Sequence, residues 1–203
     1  LVANRQSFRD MFSSELIGPD ADFAVQSLSF LFTDILGSTA LYERLGDSAA
    51  YALVREHFAI IEQIVAEHHG AVVKTIGDAV MASFMVAHEA AAAVFAIHAA
   101  LDAFNRAEQT RDDIIVKMGL HRGPCIAVTC NERLDYFGRS VNLAARIQGL
   151  STGGDVVLSA SHAGEPETAA LVRESGWRQT QFDVALKGLT DQVAVVRLQP
   201  ASA

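Results

Sequence analysis

Cysteine is nearly absent from this 203-residue chain: two residues, Cys125 and Cys130, are too few for a secreted disulfide framework and lack the second pair that a structural zinc site needs. A reducing, cytoplasmic setting is the compartment expected. Positive charge is also scarce, with 16 Lys+Arg against 24 Asp+Glu and a net charge of -8. No overall field draws the chain to nucleic acid or to an anionic membrane surface, so any anionic ligand must be held locally. Long apolar runs are missing as well. The longest apolar-rich stretch, 90–101, is Ala-dominated, broken by His98 and short of the roughly 20 residues a spanning helix requires. The first residues, 1–9, do not follow a signal-peptide pattern, and a first residue other than Met is read as the start of a fragment.

What is present is a core-forming composition, 50% hydrophobic and 20% charged, enough for one generous domain. Residues 1–24 read as a lead-in helix and linker ending near Gly18-Pro19-Asp20, residues 25–199 as the domain, and 200–203 as a tail. The run 25–32 is short and apolar, a buried strand, with Asp34 just beyond it. Gly37-Ser38-Thr39 opens helical chemistry, with Ser38 or Thr39 expected as cap, and Val54, Phe58, Ile61 and Val65 recur at helical spacing until Gly70. Residues 71–76 and 79–84 predict a hairpin around Gly77-Asp78.

Val94, Ile97, Leu101 and Phe104 stripe another helix. A strand pair follows, 114–120 and 125–129, split at Gly123-Pro124, and 131–136 read as a polar loop. Leu143, Ile147 and Leu150 stripe a third helix, and strands follow near 155–158, 178–186 and 192–198. The order is roughly βαββαββαβαββ, an α+β fold in which an antiparallel-rich sheet carries its helices on one face.

Several residue groups point to chemistry. Asp34 and Asp78 each follow an apolar strand, so two carboxylates can be aimed into one cleft, where a hard divalent cation is held by oxygen ligands, waters and substrate phosphates. Either Asp alone is as well explained by turn hydrogen bonding. The amides of the Gly37-Ser38-Thr39 turn, at a helix start, suit a phosphate, although plain capping accounts for such a turn too. Lys74 and Asp135 offer a donor and an acceptor complementary to adenine N1 and N6, and they mispair with guanine. Asn142 and Arg146, four apart, share one helical face. Cys125 and Cys130, with His121, lack a fourth ligand and read as packing. His57, His68, His69, His88 and His98 read as helix residues without a chemical role.

The blocks Phe32-Thr-Asp-Ile-Leu-Gly-Ser-Thr39, Lys74-Thr-Ile-Gly-Asp-Ala-Val-Met-Ala-Ser-Phe84 and Leu134-Asp-Tyr-Phe-Gly-Arg-Ser-Val-Asn-Leu-Ala-Ala-Arg-Ile147 occur in this order. Jointly they resemble the catalytic domain of class III nucleotide cyclases over about 26–198. The resemblance implies a ferredoxin-like, palm-type fold and an adenylyl cyclase that turns ATP into 3′,5′-cyclic AMP and pyrophosphate. It implies two divalent metal ions, Mg²⁺ or Mn²⁺, held by Asp34, Asp78 and the Ile35 carbonyl. Lys74 and Asp135 match the adenine-recognising pair, and Asn142 and Arg146 the transition-state residues. Lys187, in the closing Leu186-Lys187-Gly188 segment, matches a cation for the terminal phosphates, beside Gly37, Ser38 and Thr39. It further implies a homodimer with two sites at the interface, Asp34 and Asp78 from one chain facing Lys74, Asp135, Asn142 and Arg146 from the other. A guanylyl cyclase, or a silent nucleotide-sensing or dimerisation module, is the alternative. Lys74 with Asp135 argues against the first, and the presence of both metal Asp residues and Arg146 against the second.

Overall fold

The computed structural model describes residues 22–107, 113–130 and 133–201. The lead-in helix expected before residue 22 and the Asn131-Glu132 part of the expected polar loop lie outside the described residues. Eight strands and six helices are described: β1 (Asp22–Ile35), α1 (Ser38–Leu45), α2 (Asp47–Glu67), β2 (Ala71–Ile76), β3 (Ala79–Phe84), α3 (Ala87–Ala107), β4 (Val116–Cys130), β5 (Arg133–Phe137), α4 (Arg139–Gln148), β6 (Val156–Ser159), α5 (Ala160–Ala163), α6 (Pro166–Glu174), β7 (Arg178–Ala185) and β8 (Gln192–Gln199). No helix among them is long and apolar enough to cross a membrane.

The strands form one sheet in the order β2-β3-β1-β4-β6-β8-β7, with β5 added to the far half of β4. Every ladder is antiparallel except β4–β6. Alternation along β1 separates two cores. Leu31 and Ile35 join the apolar stripes of α2 and α3, among them Val54, Ile61, Val94 and Ile97. Leu28, Phe30 and Phe32 instead pack with Met81, Leu134, Tyr136 and Ala144 of α4. The helices therefore do not all lie on one face. The stripe of α4, with Ala144 and Ile147 buried, covers the side opposite α2 and α3.

Four local expectations change. Gly123-Pro124 does not split a strand pair, since β4 runs unbroken through it. The missing Pro124 N–H falls where β1 is irregular, between Val25 and Leu28, so no regular ladder donor is lost. Residues 133–136, expected in a polar loop, form β5 together with Phe137. Leu134 and Tyr136 are buried there, and Tyr136 packs edge-on against Phe30 with ring centroids 5.7 Å apart. Neither Ser38 nor Thr39 caps α1; Gly37 is the N-cap, in a left-handed conformation (φ 70) that glycine adopts without steric cost. His68 and His69 lie just past the last helical residue of α2, His69 itself left-handed (φ 57).

Candidate active site

Strand alternation places Asp34 on the α4 face of the sheet, two residues beyond Phe32. Asp78 sits in the two-residue Gly77-Asp78 turn that joins β2 to β3, with Ile76 opposite Ala79. The β1–β3 ladder draws this turn to the end of β1, where the Ile35 N–H donates to Asp78 Oδ2 at 3.2 Å. Burial, and then the nearby charge of Asp78, push the Asp34 carboxyl above the usual carboxylate range, against an opposing pull from Lys117. Two carboxylates crowded in this way, with hard oxygen donors, fit a divalent cation. Among the described residues no cluster of three or more His, Cys, Asp or Glu forms a metal site, so water and substrate oxygens would have to complete the shell.

Lys117 is a residue the linear sequence did not single out. It stands directly opposite Asp34 in the β1–β4 register, with its Nζ 3.9 Å from Asp34 Oδ2. One Lys inside the apolar run 114–120 was the available signal, but its meaning depends on which residue it faces.

Lys74 and Asp135 meet at 2.6 Å, Nζ to Oδ2. Asp135 Oδ1 accepts from the Tyr136 N–H at 2.8 Å, and the Lys74 ammonium lies 5.7 Å from the Phe137 ring centroid. Along the ladder, β2 and β5 are separated by β3, β1 and β4, so this contact exists because this part of the sheet curls over the Phe30–Tyr136 core and brings β2 to β5.

Asn142 and Arg146 are both exposed on α4, one turn apart. Arg146 lies against the turn after β7: a Cβ added at Gly188 (φ 78) would sit 3.3 Å from Arg146 Nη2. The exposed Lys187 is the residue before Gly188, so its segment and Arg146 are neighbours. Ser38 and Thr39 lie in the first turn of α1 after Gly37. Within one chain the candidate residues thus form separate groups: Asp34–Asp78–Lys117, Lys74–Asp135, and Arg146 beside Gly188. No hydrogen bond or ion pair joins these groups among the described residues. The two cysteines are free, Cys125 buried and Cys130 exposed.

This curled sheet, with its carboxylate pair at one strand end and its Lys–Asp pair across the curl, is the frame of a nucleotide cyclase catalytic domain. The family described as the adenylate and guanylate cyclase catalytic domain matches residues 23–191, and the chain belongs to it. Adenylate cyclase 1 of Rhizobium meliloti is 26% identical over 187 residues, covering 85% of this chain. An adenylate cyclase of Anabaena cylindrica is 28% identical over 193 residues, covering 87% of it. The chain spans only 28% and 37% of the lengths of these two relatives. Among solved structures, the adenylyl cyclase CyaB from P. aeruginosa superposes with a TM-score of 0.73, covering 90% of this chain and 97% of that one, at 24% identity. The fold is shared at that distance.

Proposed function

We propose that the domain is an adenylyl cyclase: the ribose 3′-oxygen of ATP attacks the α-phosphorus, the bond to the β-phosphate oxygen breaks, and 3′,5′-cyclic AMP and pyrophosphate leave. The observation that carries the choice of base is the 2.6 Å Lys74–Asp135 pair. It sets a donor beside an acceptor, the pattern that adenine N1 and N6 complement and guanine N1–H and O6 reverse. A wrong base leaves both groups mispaired, which gives strong discrimination.

Asp34 and Asp78, with the Ile35 carbonyl, would hold two divalent cations, Mg²⁺ or Mn²⁺. Bound there, such cations supply Lewis-acid activation of a hydroxyl and neutralise phosphate charge. Lys117 keeps the carboxylate pair from being wholly uncompensated. Arg146 offers a planar fork of donors to the charge that builds on the α-phosphoryl group, and Asn142 orients the ribose. The first-turn amides of α1 at Gly37-Ser38-Thr39, and the Lys187 ammonium, receive the β and γ phosphates. No side chain acts as nucleophile, so the protein contributes positioning and electrostatics.

The separation of these groups within one chain supports a homodimer in which Asp34 and Asp78 of one copy face Asn142 and Arg146 of the other. The deciding experiment measures cyclic AMP and cyclic GMP formation by the purified chain with Mg²⁺ and with Mn²⁺. Cyclic AMP from ATP, with a kcat/KM at least about a hundredfold above that for GTP, is expected. Equal use of GTP, or product formation without a divalent cation, would refute the reading.

A further inference from the structure

A cavity lies away from the carboxylate pair, where the first half of β1, the middle of β4 and the β5–α4 junction meet. Its volume is about 670 Å³, within the range of small-molecule sites. His121, Gly123 and Cys125 form one row on β4, facing α4, and the absence of a side chain at Gly123 lets Ser140 approach the strand beside His121, at the inner end of the cavity. A Cβ there would be 2.4 Å from Ser140 Oγ and 3.2 Å from His121 Nε2.

The polar groups at this inner end are set and unspent. His121 Nδ1 is held by Ser159 Oγ at 2.9 Å, which fixes the ring and leaves Nε2 toward the cavity. Burial pushes the His121 pKa down to about 4, so the ring is uncharged at neutral pH. Ser140 is 5% exposed, and its hydroxyl makes no hydrogen bond among the described residues. At the rim stands Arg139, exposed and without a carboxylate partner among the described residues. The remaining walls are apolar, and Phe137 is 49% exposed beside them.

We propose that this cavity binds a small monocarboxylic acid with an apolar body, the carboxylate paired with Arg139 and hydrogen-bonded by His121 and Ser140, the body against Val25, Phe137 and Leu143. One uncompensated guanidinium over neutral polar groups calls for a single negative charge, and the apolar walls call for a hydrocarbon or aromatic body. A bound acid bridges β4 to the first turn of α4, so it stabilises the folded chain by mass action.

The test uses the whole chain, without nucleotide or metal, and therefore stands apart from the cyclase reading. Isothermal titration and thermal melting are followed with 4-phenylbutyrate and with its uncharged analogue 4-phenylbutyramide. Saturable binding of one 4-phenylbutyrate per chain is expected, with a rise in Tm. The amide and the R139Q variant should each bind at least about tenfold more weakly, and L143W, which fills the cavity, should show no saturable binding. If L143W does not fold, Val25→Trp closes the same space from β1. The proposal falls if no saturable binding is seen at millimolar ligand, if the amide matches the acid, or if either R139Q or the cavity-filling variant keeps wild-type affinity.

Discussion

At the residue scale the carboxylate pair carries an unusual combination of consequences. Because the folded state raises the Asp34 pKa, first by burial and then by the charge of Asp78, the folded chain holds the Asp34 proton more tightly than the unfolded chain does. The ionised side chain therefore costs stability, which is lost as pH rises from the ordinary carboxylate value through the raised one. Asp34→Asn should leave the fold intact and raise Tm at pH 7 in the absence of divalent cations. It should also reduce cyclase turnover by a factor of about a hundred or more, the scale of losing several kcal/mol of charge stabilisation. Melting curves and a cyclic AMP assay on one preparation read both; a lowered Tm, or retained turnover, contradicts the account. The base pair is tested separately. Lys74→Glu with Asp135→Cys should lower kcat/KM for ATP by at least about tenfold and shift the ATP:GTP ratio toward GTP. An unchanged ratio would mean that the base is read elsewhere.

At the scale of elements, α4 is the part whose position matters most, since Asn142 and Arg146 ride on it. Its last turn is seated by a close approach to the sheet. Gly119 of β4 lies against the α4 backbone at Gln148, where an added Cβ would come within 2.3 Å of the Gln148 N and Cα. Neither atom belongs to a flexible side chain, so the helix as a whole would have to move. Gly119→Ala is therefore expected to cost about 1–3 kcal/mol, seen as a Tm lower by several degrees. It should also lower kcat more than it raises KM for ATP, because displacing the helix misplaces Arg146 relative to the reacting phosphate. Circular dichroism melts and steady-state kinetics distinguish this from a simple loss of folded protein, which would lower the apparent kcat without changing the melting midpoint.

At the scale of the whole molecule two outcomes follow. If the two halves of the site come from different chains, Asp34→Ala and Arg146→Ala homodimers should each be nearly inactive. Their mixture should form heterodimers with one doubly damaged interface and one intact one, recovering up to about half of the wild-type activity per heterodimer. A mixture that stays inactive while native mass spectrometry detects heterodimers would put the whole site in one chain. The second outcome concerns acid stability. Burial lowers the pKa of both His121 and His162 to about 4, and the His162 Nε2–H donates to the Ala87 carbonyl at 3.2 Å while Nδ1 is buried without a partner. The unfolded chain, with histidines near 6.5, binds more protons between about pH 4 and 6.5. Stability should thus be fully present above about pH 6.5 and fall as pH drops toward 4. Tm measured across that range should decline steeply for the wild-type chain and less steeply for His162→Gln; parallel slopes would remove His162 from the account.

Much of this was legible in the linear chain because it depends on local pattern. The Gly77-Asp78 hairpin, the stripes of α2, α3 and α4, and the order of strands and helices follow from turn chemistry and from periodicities of two and 3.6 residues, which act between neighbours along the chain. The three motif blocks gave the fold class and named the residues worth placing. Other features needed the third dimension. Strand β5 is too short for its Leu134 and Tyr136 to stand out as an alternating pattern until they are packed under Phe30. Gly123-Pro124 looked like a break because the irregularity in β1 that accommodates it lies about 100 residues away in sequence. Lys117 gained its meaning from a register, Asp34 opposite Lys117. The Lys74–Asp135 contact was set by curvature, since two strands with three others between them meet only when a twisted sheet closes over a core. A sequence states which groups are available and how each stretch of backbone is inclined to fold, whereas which group faces which depends on register and packing, and those are properties of the assembled whole.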